Sequence, residues 1–224
     1  MPTSIALAVA SLIAAASLIS AHPEPAHPAV GINEPAPVAE RLAFDFKDPK
    51  GVNGLGFVLD STLEPFFGTG TAISGTVEFD PEDPTSAAGK LVMEAKSLRM
   101  TNERMTAVLH GADWMDVASH PEITVTLVKV AAARPIAENT FEILAEVEIG
   151  MKGRTVAQQV PIRATYLPGR LGDRVPNMKG DLLVLRSRFT VKRSDFELKP
   201  DASAEVVANE IQITAAITGV RKAE

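Results

Sequence analysis

Between Asn139 and Gly150 the side chains change sides at every step. Phe141, Ile143, Ala145, Val147 and Ile149 fall on one face, and Glu142, Leu144, Glu146 and Glu148 on the other. A period of two is the mark of a half-buried strand and cannot be laid on a helix, whose faces repeat every 3.6 residues. The pattern recurs along the chain. Leu55, Phe57 and Leu59 alternate with small residues and Val58. Ile73, Val77 and Phe79 oppose Ser74, Thr76 and Glu78, with Gly75 marking a bulge or bend. Leu91, Met93 and Ala95 oppose Lys90, Glu94 and Lys96, and Ile123, Val125 and Leu127 oppose Thr124, Thr126 and Val128.

Three more runs follow. Thr155 to Tyr166 holds Val156, Val160, Ile162, Ala164 and Tyr166 in phase, after a hairpin turn at Met151-Lys152-Gly153-Arg154. Gly180 to Arg193 holds Leu183, Leu185, Phe189 and Val191, with Arg186 and Arg188 on the other face. Glu205 to Gly219 sets Ile211, Ile213, Ala215 and Ile217 against Glu210, Gln212 and Thr214. With a short strand at Ala43–Lys47 this makes an all-β chain of about eight substantial strands, and the modest loops between them imply antiparallel neighbours. A sandwich and a closed up-and-down barrel both fit. The length of the strands favours the barrel, which at about eight strands has room for one small ligand.

One stretch breaks the strand pattern. In Ser97 to Asp116, Thr101 or Asn102 is a helix cap, Met105, Val108 and Leu109 form one apolar face, and Gly111 is a stop. This single short helix, with Trp114 after it, is expected to close one end of the barrel.

The N-terminal part has a different composition. Met1 to Ala21 carries no charged side chain and reads as a signal peptide cut after Ala21, although it lacks a basic n-region. The uncleaved alternative is a membrane anchor of marginal length. Residues 22–41 hold Pro23, Pro25, Pro28, Pro35 and Pro37 and read as an extended linker. Its His22 and His27 fit a mobile tail better than a metal site. The expected destination is the periplasm or the cell exterior. Cysteine is absent, which excludes disulfides, thiolate metal sites and a cysteine nucleophile. A net charge of −6 argues against nucleic acid as a partner.

Residues Leu42 to Val220 resemble the YceI-like family. The resemblance rests on Ser97-Leu98, Asn102, Leu109, Asp113-Trp114-Met115-Asp116 and His120-Pro121-Glu122-Ile123, then on Met151-Lys152-Gly153-Arg154-Thr155-Val156, and on Phe189 to Phe196 with its Arg193-Ser194-Asp195-Phe196 end. It implies an exported, lipocalin-like antiparallel barrel that binds an isoprenoid or other amphiphilic lipid in an apolar pocket. Three departures stand out. Met105-Thr106-Ala107-Val108-Leu109 replaces the family's Arg-Asp-x-His-Leu, Asp48-Pro49-Lys50-Gly51-Val52 replaces Asp-x-x-His-Ser, and Glu197 stands where a Gly is usual.

The expected pocket lining follows from the inward faces: Phe57, Leu59, Ile73, Val77, Phe79, Leu91, Met93, Met105, Leu109, Trp114, Ile123, Val125, Leu127, Ile143, Ala145, Val147, Ile162 and Phe189. Many of these are medium or small, which leaves volume inside, and an apolar hollow prefers an apolar guest such as an isoprenoid or fatty-acyl lipid. No covalent cofactor, catalytic residue or metal is expected, and the protein is expected to be a monomer or homodimer. Two other readings compete. A lipid-directed hydrolase or isomerase would use His110 with Asp113, or His120 with Glu122, as base and orienter. A stress-related interaction module would use its outer strands and leave a vestigial cavity. Glu142, Glu146 and Glu148 read as a water-facing strand surface rather than a calcium site, and Arg193 with Asp195 as a pin for the last loop.

Overall fold

A computed structural model describes residues 41–223. The expected signal peptide and nearly all of the linker lie outside the described residues. Eleven strands form one antiparallel sheet in the order β1-β4-β5-β7-β8-β9-β10-β11-β2-β3-β6, and β1 pairs again with β11 to close it. They are β1 (Leu42–Asp45), β2 (Gly54–Asp60), β3 (Pro65–Gly70), β4 (Ile73–Phe79), β5 (Ala88–Glu94), β6 (Arg99–Met100), β7 (Glu122–Ala137), β8 (Thr140–Met151), β9 (Arg154–Leu167), β10 (Gly180–Lys192) and β11 (Glu210–Lys222).

The order simplifies once the register is followed. β1 and β2 run end to end along β11, meeting it at Val220 and at Gln212–Ala216. β4 pairs with β1 while β3 pairs with β2, and β5 pairs with β4 while β6 pairs with β3. So β1–β2, β3–β4 and β5–β6 are three long strands, each broken once. The ring then has eight positions, and each neighbour in space is the next in sequence. This is the closed up-and-down barrel expected, not a sandwich.

The breaks have local causes. Between β1 and β2, the Asp48 carboxylate accepts from the N–H groups of Lys50, Val52 and Asn53, which curls the chain into a tight turn. Between β3 and β4, Ala72 takes a φ of 52°, which no strand tolerates. The expected bend at Gly75 is a close approach: its φ is 121°, and a Cβ there would lie 2.2 Å from the Lys90 carbonyl oxygen. The β8–β9 hairpin turns through Lys152 and Gly153, both at positive φ, as a two-residue turn of the favoured hand requires.

Several boundaries differ from the sequence reading. The second half of β7 was not visible in the pattern, because register shifts after Leu127, Val130 and Pro135 move the phase of its side chains. Ala95 sits in a 3-10 turn with Lys96 and Ser97 instead of ending β5. The last strand begins at Glu210, not Glu205, and runs on to Lys222. Helix α1 is Glu103–His110; the Asn102 side chain caps it by accepting from the Met105 N–H at 2.8 Å. Gly111 ends it in an extended conformation with φ −69°, so the left-handed freedom of glycine is not used there. Of the expected apolar face, Leu109 is buried and Met105 half-buried, but Val108 is exposed.

One end of the barrel is filled by aromatic rings. Phe44, Phe46 and Phe79 are fully buried there with Leu183. Phe79 meets Phe141, and Phe44 meets Tyr166, edge to face at 5.8 and 6.1 Å between centroids. Each such ring contributes about 1.5–3 kcal/mol on burial. A four-residue helix, α2 (Leu171–Arg174), plugs the loop before β10 with the fully buried Leu171.

Candidate functional site

The inward faces of the ring leave a string of apolar hollows. The middle one has a volume of about 140 Å³, the one above it about 100 Å³ and the one below about 80 Å³. A fourth, of about 250 Å³, lies outside the upper one between α1 and the loop before β11. Adjacent hollows share walls. Met93, Ile123 and Phe189 separate upper from middle, and Leu91, Val147 and Ile162 separate middle from lower. Val125 lines all three. The walls of these three hollows carry no polar surface.

The structure places the expected lining residues around this string. Phe57, Leu59, Met93, Leu109, Trp114, Ile123, Val125 and Phe189 face the upper hollow. Ile73 and Leu91 reach the middle one with Val147 and Ile162. Val77, Phe79, Leu127, Ile143 and Ala145 surround the lower one. Met105 faces the outer pocket, with Trp114 on the wall between it and the upper hollow.

Sequence reasoning missed part of the upper wall. Leu98, Leu198 and Val207 are buried at this end, yet none lies on a periodic run. They come from turns that only tertiary contacts bring together. The organiser of the loop before β11 is Arg193, which is 5% exposed. Its guanidinium donates to the carbonyls of Leu198 (2.6 Å), Lys199, Ala202 (3.2 Å) and Ala208 (3.4 Å). The pin expected here exists, but it is built on backbone carbonyls and not on Asp195. Burial pushes the Arg193 pKa down from its ordinary value.

A polar strap crosses the same end. The Lys199 N–H donates to the Asp113 carbonyl at 2.7 Å, and Lys199 Nζ lies 2.8 Å from the Asp113 carboxylate. Lys152 Nζ, from the β8–β9 turn, donates to the carbonyls of Asp113 and Glu197 at 3.0 Å each. Arg154 pairs with Glu197. Glu197 has a φ of 52°, which explains why a glycine fits this place in the family pattern. The Trp114 turn, the β8–β9 hairpin and the loop before β11 are thus tied together over the upper hollow.

The two imidazoles do not form the base–orienter pairs considered above. His110 Nε2 lies 2.9 Å from the Leu98 carbonyl, while the Asp113 carboxylate is engaged by Lys199. His120 packs over the β8–β9 turn, where a Cβ on Gly153 would meet its ring at 2.9 Å. Among the described residues no three His, Asp or Glu side chains gather as metal ligands, and Glu142 is paired with Arg134 and Arg163. No described helix is long and apolar enough to cross a membrane.

Comparison with known proteins agrees with this geometry. A family model described as YceI-like domain matches residues 50–219. The crystal structure of Burkholderia cenocepacia BcnA is similar at 20% identity and a TM-score of 0.56, over 74% of this chain and 95% of that one. A Campylobacter jejuni YCEI protein matches at 15% identity and a TM-score of 0.56, over 70% of this chain and 85% of its own. A polyisoprenoid binding domain from Saccharophagus degradans, implicated in plant cell wall breakdown, matches at 11% identity and a TM-score of 0.56, over 81% of this chain and 99% of its own. Among curated proteins, none matches the sequence.

Proposed function

This chain belongs to the YceI-like domain family, and from that premise we propose that it is an exported binding protein that holds an isoprenoid or other long-chain amphiphilic lipid inside its barrel. The observation that carries the reading is the string of apolar hollows sharing single side-chain walls. An apolar cavity of ~150 Å³ stays dry and takes a benzene ring. Hollows of about 100, 140 and 80 Å³ therefore each suit on the order of one isoprene unit. A chain threaded through them displaces no water and gains about 0.8 kcal/mol per buried methylene. Holding such a guest needs no hydrogen bond and no covalent step.

The outer pocket beside Met105 and Trp114 is the doorway, and the polar strap is what opens. Export is inferred from the uncharged run before His22, and delivery across an aqueous compartment gives a lipid-shielding barrel its use.

Native mass spectrometry of the purified chain, followed by organic extraction, tests the reading. A long-chain adduct is expected. Trp114 is the sole tryptophan and faces the upper hollow, so its emission should shift when the stripped protein is refilled with farnesol or a fatty acid. A chain that yields no adduct and shows no shift with either guest would overturn the proposal.

A further inference from the structure

The outer face of the barrel carries a row of arginines that the lumen does not use. Arg134 lies opposite Glu142, Glu142 opposite Arg163, and Arg163 opposite Arg186, across four consecutive strands from β7 to β10. Arg188 follows two residues along β10 on the same face. Glu142 is shared by Arg134 and Arg163. Among the described residues Arg186 and Arg188 make no ion pair. Like charges directly opposite on neighbouring strands are destabilising, and of the facing pair Arg163 has a share of Glu142 while Arg186 has no carboxylate partner among the described residues.

The row sits in a groove of about 680 Å³ whose apolar wall includes Leu144 and Pro161. Two causes deepen it. A twisted barrel is waisted, so its outer surface is concave along the axis. The β9–β10 ladder also stops beside Pro161, whose ring nitrogen has no hydrogen to donate. There the Ser187 hydroxyl takes up the Pro161 carbonyl at 2.6 Å, and Arg188 continues beyond the last paired residue.

We propose that this groove is a binding site for a phosphate oxyanion, held by Arg163, Arg186 and Arg188. Guanidinium forks match phosphate bidentately. A monocarboxylate engages one fork, whereas a phosphate or diphosphate has oxygens for several, which is what arginines lining one groove with one shared glutamate present. The chain is otherwise acidic at −6, so the groove is a local basic island and not part of a general basic surface. The site is on the far side of the sheet from the hollows and does not depend on what fills them. The phosphate has two possible sources, a free organic phosphate or the headgroup of an anionic lipid surface.

The test uses the full chain, with pyrophosphate followed by calorimetry, and flotation with phosphatidylglycerol against phosphatidylcholine vesicles. Wild type should bind pyrophosphate, phosphatidylglycerol vesicles or both, more weakly as salt rises. Arg186→Gln with Arg188→Gln should weaken that binding roughly tenfold or more, and Arg41→Gln with Arg170→Gln, which removes the same charge elsewhere, should not. Pyrophosphate binding assigns the site to free phosphates, and binding to vesicles alone assigns it to headgroups. The inference is overturned if wild type binds neither probe, if the groove variant binds as wild type does, or if both double variants weaken alike. The exposed arginines can be removed without touching the core, and the adduct seen by native mass spectrometry should be unchanged in the groove variant.

Discussion

The side chain of Asn53 and the backbone of Thr218 form a two-bond pair across the seam that closes the barrel. Asn53 Nδ2 donates to the Thr218 carbonyl at 3.0 Å, and its Oδ1 accepts from the Thr218 N–H at 2.9 Å. Nδ2 also donates to the Phe46 carbonyl at 3.1 Å. The amide stands in for a strand at the gap between β1 and β2, where β1 itself meets β11 only through Asp45 and Val220. Asn53→Ala should cost about 2–4 kcal/mol, because it orphans three backbone groups, the Phe46 carbonyl in the core and the half-buried N–H and carbonyl of Thr218. Urea unfolding and hydrogen exchange at the Thr218 amide check it; native protection of that amide in the variant refutes the role.

The strap between Asp113 and Lys199 sets a pH window for the upper end. The Lys199 ammonium holds the Asp113 carboxyl below its ordinary value, by hydrogen bond first and charge second, with the Lys152 charge adding to it. Asp113 in turn raises Lys199. A depressed carboxyl stabilises above its unfolded pKa and stops doing so as pH falls through the folded one. A raised ammonium stabilises below its unfolded pKa and stops as pH rises through the folded one. The strap is therefore whole between the ordinary values of 3.8 and 10.5. Asp113→Asn at neutral pH should reproduce the acid behaviour: faster exchange of the amides from Lys199 to Ala202 with little change in Tm. Equal exchange rates in variant and wild type would remove the strap from the account.

Val125 touches all three hollows of the lumen. Val125→Phe should fill them, at a stability cost no larger than about 1–3 kcal/mol, and abolish the lipid adduct. Val147→Asp should also abolish it, while lowering stability by several kcal/mol because a carboxylate is put into an apolar hollow. A folded Val125→Phe protein that still carries its adduct would place the guest elsewhere.

Removal of the Arg193 guanidinium takes a donor from four loop carbonyls, of which only that of Lys199 keeps another, the Ala202 N–H. Arg193→Met should cost about 2–4 kcal/mol and free the segment that bears Lys199, Ala202 and Val207. Lipid exchange should then be faster, as read by the Trp114 emission. A variant with unchanged exchange would separate this loop from the doorway.

Gly75→Ala combines a φ of 121° with a contact 2.2 Å from the Lys90 carbonyl oxygen. It should destabilise by on the order of 2–4 kcal/mol and loosen the β4–β5 pairing selectively. Hydrogen exchange along Ile73–Phe79, compared with β8, checks this.

Strand β8 was legible because one of its faces is buried without interruption from Phe141 to Met151, so its alternation never loses phase. The Asn102 cap was legible because capping is a local bond. The composite strands were not. The turn at Asp48 and the left-handed Ala72 break the phase, and only pairing across the sheet shows that the pieces on either side belong to one line. The bulges of β7 hid its second half for the same reason. Leu198 and Val207 escaped notice because Arg193, not a repeating pattern, carries them into the core. Most lumen-facing positions could be read from parity, but the number and size of the hollows could not. Those depend on how the rings and branched chains of opposite walls mesh.

The rings of Phe79 and Phe141 give the barrel a blind bottom. For any linear guest a passage with one sealed end acts as a ruler. The chain goes in tail first, advances until it meets the bulkhead, and whatever exceeds the depth stays outside with its head. Discrimination by such a vessel falls on length, and shaving the bulkhead with Phe141→Leu should move the preferred length upward.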